Sequence, residues 1–295
     1  MTIVDHYLVN GQSGSFNAVS YFFITLFGIT LNLIGLPFIE QDGIISHCSS
    51  VALWTAFYKT SSLFQHQIPS FQEINQFAGE SVHASPTRKH ATGGFDVNQI
   101  CRVIERVGLE HEFIDLHEHY DKDFLKSYVY SYSSSGLPIL LGLDLDTVGL
   151  HLITIIGYKL DPLLKTNSSL KLTSDRINSI YSHDDQMGPY SKLEMLEDNS
   201  ILTGWRNGST GNSKAIPFAL IVPLKDNIRI SFKDIYPTIK FLNRFLKTVG
   251  FEDVEMEWDI KLKSSSDFLR YISNLDNLEV KETLLFNSYP EYVWI

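Results

Sequence analysis

The first 40 residues contain a long apolar stretch that belongs either to a membrane helix or to β-strands. No charged residue occurs from Tyr7 to Ile39, and a run of that length could span a membrane. However, glycine, asparagine and proline interrupt the run VSYFFITLFGITLNLIGLPFIE, and no lysine or arginine precedes Lys59 to provide a basic flank. Because β-branched and aromatic residues dominate the run, it predicts a buried β-hairpin, with strands at about residues 19–27 and 29–34, and no membrane span.

The next part of the chain predicts helices first and strands afterwards. A helix is expected to begin near Cys48, with Ser46 as its N-cap, because apolar residues recur at helical spacing after it. Asp96 caps another helix, and a further helix covers about residues 121–134. The runs LPILLGLDL and GLHLITIIGYKLD then predict an antiparallel hairpin in a buried sheet, followed by the strands INSIYSHDD and YSKLEML. This order of elements predicts an α+β fold.

The C-terminal part of the chain has the pattern of an appended unit. AIPFALIVPL and IRISF predict a second hairpin, and a helix is expected to begin at Asp234. VEMEWDIKLK alternates like a half-buried strand, and TLLF and YVWI predict closing strands. We therefore expect three regions: an N-terminal hairpin region at 1–36, a main domain at 37–212 and a small α+β extension at 213–295.

Charge and cysteine content narrow the function classes. The 295 residues include 24 basic and 34 acidic side chains, a formal net charge of −10. This acidic balance argues against a nucleic-acid binder and against binding to anionic membranes. The chain has two cysteines, Cys48 and Cys101, which is too few for a disulfide framework. A reducing cytoplasm is therefore the expected location.

Three residue types needed for nucleophilic catalysis occur at element ends. The N-terminus of a helix favours the thiolate of Cys48, and its N–H groups could stabilise an oxyanion. His151 stands at the start of a long apolar strand and is the best candidate for a base. Asp184 and Asp185 end the next strand, so one of these carboxylates could orient the imidazole if the two strands are neighbours. A buried structural cysteine, a core histidine and a polar turn remain the alternatives.

A second group of residues suggests metal binding as an alternative chemistry. The run HEFIDLHEH and its neighbours bring three histidines close in sequence to acidic residues. The spacing matches no zinc signature, and strand alternation would separate the side chains onto two faces. We therefore expect neither a metal site nor a cofactor. The residues concerned are His111, Glu112, Asp115, His117, Glu118 and His119.

The Cys48, His151 and Asp184 elements, in this order, resemble the papain-like cysteine peptidases, most closely the branch with the bacteriocin-leader-processing (double-glycine) peptidases. The resemblance covers about residues 37–192. It implies a papain-like fold, Cys48 as nucleophile, His151 as base, and Asp184 (or Asp185) as orienter. It also implies that Gln41 contributes to the oxyanion hole, although Gln41 lies seven residues before Cys48 where six is usual in the family.

The resemblance implies a cysteine peptidase or amide hydrolase acting through a thioester acyl-enzyme on a peptide or protein substrate. Two alternatives use the same fold. An acyltransferase would use the same three residues with an amine in place of water, and a catalytically inactive binding module would use the cleft without chemistry.

Overall fold

The computed structural model describes residues 2–5, 14–40, 48–79, 94–117, 121–146, 149–164, 170–207, 211–251 and 256–295. Helices and strands alternate irregularly through these ranges, so the chain is a mixed α and β protein. The described helices are, in chain order, α1 (Cys48–Phe64), α2 (Phe71–Gly79), α3 (Val97–Arg106), α4 (Lys122–Ser133), α5 (Phe232–Thr248), α6 (Ser265–Ser273) and α7 (Leu278–Leu285).

The strands fall into one large sheet and several short pairs. In chain order the described strands are β1 (Thr2–Ile3), β2 (Ser20–Leu26), β3 (Ile29–Gly35), β4 (Pro37–Phe38), β5 (Glu110–Asp115), β6 (Ile139–Leu145), β7 (Gly149–Leu160), β8 (Lys171–Leu172), β9 (Ile177–Asp184), β10 (Gly188–Met195), β11 (Ile201–Asn207), β12 (Gly211–Leu224), β13 (Glu257–Trp258), β14 (Leu262–Ser264) and β15 (Tyr292–Trp294).

The large sheet closes into a six-stranded barrel. Its strand order is β11-β10-β9-β7-β6-β12, and β12 pairs back with β11 to complete the ring. Every pairing within it is antiparallel. β5 pairs with the C-terminal part of β12, also antiparallel. The predicted β6–β7 hairpin and the predicted strands β9 and β10 are confirmed. The closure of the sheet was not expected from the sequence.

Helix α1 is buried almost all round between the barrel and the other N-terminal helices. Ten of its residues are buried, among them Leu53, Trp54 and Phe57. Such a helix is typical of a protein core. The Thr154 hydroxyl on β7 donates a buried hydrogen bond of 2.9 Å to the Ala52 carbonyl on α1. This contact, together with the packing, holds the start of α1 against the start of β7.

The apolar N-terminal segment forms the predicted hairpin, but the prediction that the hairpin is buried is wrong. β2 and β3 pair in register from Ser20–Gly35 to Leu26–Ile29. In the described residues they pair only with each other, and most of their residues are exposed, although Ser20 and Gly35 at the base of the hairpin are buried. Phe23 is 74% exposed and Phe27, at the turn, is 96% exposed. Within the described ranges, no helix is both long enough and apolar enough to cross a lipid bilayer.

Three C-terminal strand predictions are wrong. The described part of VEMEWDIKLK is not one strand, because only β13, which pairs in parallel with β8, and the start of β14 are strands there. The run IRISF is not a strand. Residues 228–231 are in neither a helix nor a strand, and Phe232 begins α5. The run TLLF lies mostly at the end of α7. Local β-propensity was overridden there by capping at Asn277, whose side chain accepts a hydrogen bond from the Val280 N–H. The closing strand β15 is confirmed.

The predicted C-terminal extension begins within the barrel. β12 pairs with β6 along one edge, and with β11 and then β5 along the other edge. It includes the first twelve residues of the predicted region 213–295. After Leu224 the chain continues into α5, α6, α7 and short strands. The division into three regions stays a prediction.

Two glycines in the barrel strands should respond differently to alanine. A Cβ at Gly157 would lie 2.4 Å from the Ser15 carbonyl oxygen, which is backbone. A Cβ at Gly204 would lie 2.9 Å from the Met187 methyl group, the far end of a flexible side chain. We expect Gly157→Ala to lower the free energy of unfolding by about 1–3 kcal/mol and Gly204→Ala to cost clearly less. Urea denaturation measures both, and equal losses would contradict the clash at Gly157.

Candidate active site

Cys48 is the first residue of α1 and is partly buried. The backbone at Gly94 passes close beside it, since a Cβ at Gly94 would lie 3.9 Å from Cys48 Sγ and 3.2 Å from Ser49 Oγ. The Phe95 N–H donates to Ser49 Oγ at 3.3 Å, which fixes this segment against α1. A side chain at position 94 would therefore crowd the Ser49 hydroxyl and contact the thiol.

The barrel brings His151 and Asp184 together. β7 and β9 are neighbours, with Thr154 opposite His183, so the end of β9 lies beside the start of β7. His151 Nε2 lies 3.0 Å from Asp184 Oδ1, and both side chains are 2% exposed. This is the neighbour relation that the sequence could only assume.

Asp184 is held by several donors. Its Oδ1 also accepts from the backbone N–H groups of Gln186 and Met187, at 3.0 and 3.2 Å. Its Oδ2 accepts from the Trp205 indole at 3.0 Å. Burial alone would raise the pKa of this carboxyl, but the hydrogen bonds and the charge of His151 lower it overall. Asp184 is therefore ionised and can only accept, so Nε2 of His151 carries a proton.

Cys48 also influences the charge of His151. Burial would lower the pKa of His151, but hydrogen bonding to Asp184 and to Cys48 and their charges raise it to about 10. Because Nε2 faces Asp184, Nδ1 is the nitrogen left for the thiol. The imidazolium form is thus favoured, which is the partner that a thiolate needs.

Trp205 is a site residue that the sequence did not reveal. Its ring packs edge-on against His151, with the centroids 5.3 Å apart and the planes at 75°. Its indole N–H binds the carboxylate that holds the same histidine. A tryptophan in the run ILTGWRN has no sequence signal that separates it from a core residue, and only the closing of β11 against the barrel places it here.

Asp185 lies beside the same histidine without binding it. Its Oδ1 is 3.7 Å from His151 Nε2, beyond hydrogen-bond distance. Burial raises its pKa to about 6, although the charge of His151 opposes this and the charge of Asp184 adds to it. The geometry favours Asp184 over Asp185 as the orienting carboxylate. Gln41 and the expected N-cap Ser46 lie outside the described residues.

A cleft of about 510 Å³ opens beside Cys48 and His151. It lies between the N-terminal helices and the barrel. Its walls are mainly apolar, and Asp96, whose carboxylate caps α3, stands among them. The lining residues away from the thiol and imidazole are Gly94, Phe95, Asp96, Val97, Ile100, Leu150, Leu152, Phe218, Ala219 and Ile221.

One potential group of metal ligands occurs in the described ranges: His151, Asp184 and Asp185. Asp184 Oδ1 already accepts three hydrogen bonds, which leaves it poorly suited to a cation. In the alternative cluster near β5, Glu112 is buried and accepts from Tyr132, while His117 stacks on Phe218. Of that cluster, Glu118 and His119 are outside the described residues.

No protein-family model matches the chain, and no curated protein matches it. Among solved structures, the chain is similar to a double glycine motif protease from an AMS/PCAT transporter, solved in complex with the leader peptide. The two are 13% identical, and the match covers 64% of this chain and 91% of that one with a TM-score of 0.32.

The two thiols should differ in reactivity. Burial, with a smaller effect of the Glu105 charge, raises the pKa of Cys101 to about 11, whereas Cys48 has His151 as a partner. We expect iodoacetamide at neutral pH to label Cys48 roughly tenfold or more faster than Cys101. Peptide mass mapping measures both rates. His151→Gln should slow the labelling of Cys48 and leave that of Cys101 unchanged, and equally slow thiols in the unaltered chain would contradict the site.

Proposed function

We propose that the chain is a cysteine peptidase or amide hydrolase of papain-like fold, with Cys48 as nucleophile, His151 as base and Asp184 as orienter. The observation that carries the proposal is the buried 3.0 Å contact of His151 with Asp184, on a ring that also interacts with Cys48. In the proposed fold, helix α1 provides the thiol and the antiparallel barrel provides the imidazole and the carboxylate.

The reaction begins with attack of the Cys48 thiolate on a peptide or amide carbonyl. His151, which holds the proton of the thiol, passes it to the departing amine as the C–N bond breaks, and a thioester remains on Cys48. Neutral His151 then removes a proton from water, which attacks the thioester. The carboxylic acid is released, and the proton returns to the Cys48–His151 pair.

Two groups are proposed to stabilise the oxyanion of each tetrahedral intermediate. The Cys48 backbone N–H lies at the start of α1, where it has no partner within the helix and the positive end of the helix dipole adds to its effect. The Gln41 side chain, as the family resemblance implies, is the second donor, and its role stays a prediction.

Asp184 is proposed to fix the tautomer of His151. Held by Gln186, Met187 and Trp205, it does not need to move during the reaction. Trp205 also covers the contact from one side, which keeps water away from a hydrogen bond that would weaken in contact with solvent. The arrangement pre-organises the base before substrate binds.

The substrate is proposed to be a peptide with an apolar group next to the scissile carbonyl. Apolar side chains dominate the cleft beside Cys48. Phe218 forms one wall. Its ring stacks on His117, with centroids 5.8 Å apart, and lies over Gly142, where a Cβ would come within 2.6 Å of the ring. Glycine at 142 thus makes room for the phenylalanine.

Removal of the three proposed catalytic groups should abolish or strongly reduce hydrolysis. With a peptide library as substrate and mass spectrometry as readout, Cys48→Ala should give no cleavage, because no nucleophile remains. Asp184→Asn should lower kcat roughly a hundredfold to ten-thousandfold, because the amide can hold the wrong tautomer. Cys101→Ser, a change at a cysteine outside the cleft, is the control and should retain full activity.

The outcome also distinguishes the alternatives. Cleavage that persists in Cys48→Ala would contradict the proposal. An acyl-enzyme on Cys48 that is released by added amines far faster than by water would indicate an acyltransferase. Absence of both cleavage and any acyl-enzyme in the intact mass of the unaltered chain, across the library, would indicate a binding module.

Changes on the two sides of the Phe218 ring should alter substrate size preference in opposite directions. Phe218→Ala enlarges the cleft and should favour bulkier apolar groups, whereas Gly142→Ala displaces the ring and should disfavour them. We expect each ratio of kcat/KM, for a large against a small apolar residue, to change by roughly tenfold or more. Phe241→Ala, at a phenylalanine on α5 that is 65% exposed, is the matched control. Parallel shifts in both variants would refute the assignment of this wall.

A further inference from the structure

Asp185 is a buried carboxyl group to which no other residue in the described ranges donates a hydrogen bond. Its side chain is 2% exposed. Its neighbour Asp184 is equally buried but accepts four hydrogen bonds. A buried carboxylate that lacks donors is costly, so such a group needs an explanation in charge or in function.

The groups that face Asp185 leave His151 as its one positive neighbour among the described residues. From β9 it is faced by His183 and Asp184, from β7 by His151, and from α1 by Cys48. Burial lowers the pKa of His183 to about 3, so that ring stays neutral. The remaining wall of the small pocket around Asp185 contains Phe38, Val51, Ala52, Thr55 and Leu152, which carry no charge.

The two carboxylates are therefore related to His151 in different ways. Asp184 makes a hydrogen bond of 3.0 Å, which fixes the orientation of the ring and its tautomer. Asp185, at 3.7 Å and without that bond, acts on the ring through charge alone. At such a separation, in a site closed to solvent, an opposite charge favours the charged form of a histidine strongly.

We propose that Asp185 is a positioning residue whose charge adds to that of Asp184 in holding His151 as an imidazolium, while Asp184 also fixes the orientation of the ring. Ionised Asp185 adds stability to the imidazolium, and protonation of Asp185 removes that contribution. The electrostatic part of this proposal stands on the contact itself, and its consequence for turnover rests on the proposed function.

The consequence concerns the second half of the reaction. An imidazolium can protonate a departing amine, but only neutral His151 can take a proton from the water that hydrolyses the thioester. Two carboxylates at Nε2 therefore favour formation of the acyl-enzyme over its hydrolysis. Since burial raises the pKa of Asp185 to about 6, Asp185 contributes to this bias above that pH, where it is ionised. Below that pH its contribution is lost, although His151, with a pKa of about 10, stays protonated.

The direct test is a titration of His151 by NMR in the full chain labelled with ¹⁵N-histidine. The His151 signals are assigned by their loss in His151→Gln. Asp185→Asn has nearly the same shape and no charge, and it should lower the pKa of His151 by about one unit or more, while the ring stays protonated at Nε2. Asp185→Glu keeps the charge and should restore most of the shift.

Asp184→Asn provides the contrast, because it removes the hydrogen-bonding carboxylate and should alter the tautomer signature as well as the pKa. If Asp185→Asn does not fold, Asp185→Ser removes the same charge and takes its place. A folded charge-free variant in which His151 titrates as in the unaltered chain would overturn the proposal.

The titration needs no substrate, so its failure is separate from failure of the proposed hydrolase activity, which the library cleavage tests. With a cleaved peptide in hand, stopped-flow measurement adds a kinetic readout. Asp185→Asn should speed release of the acyl group at neutral pH and move the alkaline limb of the pH profile to lower pH. An unchanged alkaline limb would also count against Asp185 as the residue that sets the charge.

Discussion

The site depends on the contact between helix α1 and strand β7. Cys48 begins the helix and His151 lies near the start of the strand, so their separation is set by how these two elements pack. The Thr154 hydroxyl binds the Ala52 carbonyl one turn beyond Cys48. Because the helix is buried almost all round, it has little freedom to shift along the barrel. The packing of the core therefore fixes the positions of Cys48 and His151 relative to each other.

Closure of the barrel supplies the second half of the site. Pairing of β11 with β12 brings Trp205 over His151 and onto Asp184, so the carboxylate is held from its far side. Asp185, the next residue, is nearly as buried, yet no other residue that the structure describes donates a hydrogen bond to it. The pKa of the carboxyl group is therefore lowered at Asp184 and raised at Asp185, although the two residues are adjacent and of the same type. The difference comes from hydrogen bonds and not from depth of burial.

Elements with strong local signals were predictable, and those that depend on distant partners were not. The β6–β7 hairpin follows from two apolar runs and a short turn, and the N-terminal hairpin follows from glycine and from β-branched residues. Exposure of that hairpin was not predictable, because an apolar strand looks the same whether or not another layer covers it. β-propensity alone predicts a strand for TLLF, but the side chain of Asn277 caps the helix that contains most of this run.

From the sequence alone, three residues or pairs could be identified as candidates for chemistry: a cysteine where a helix starts, a histidine where an apolar strand starts, and an acid pair where the next strand ends. Helical and strand periodicity place such residues on elements. Which elements become neighbours was decided only by the tertiary structure, because pairing of β7 with β9 and closure by β11 join positions far apart in the chain. The distances to His151 distinguish Asp184 from Asp185, and the indole of Trp205 binds Asp184; these contacts exist only after the chain has folded.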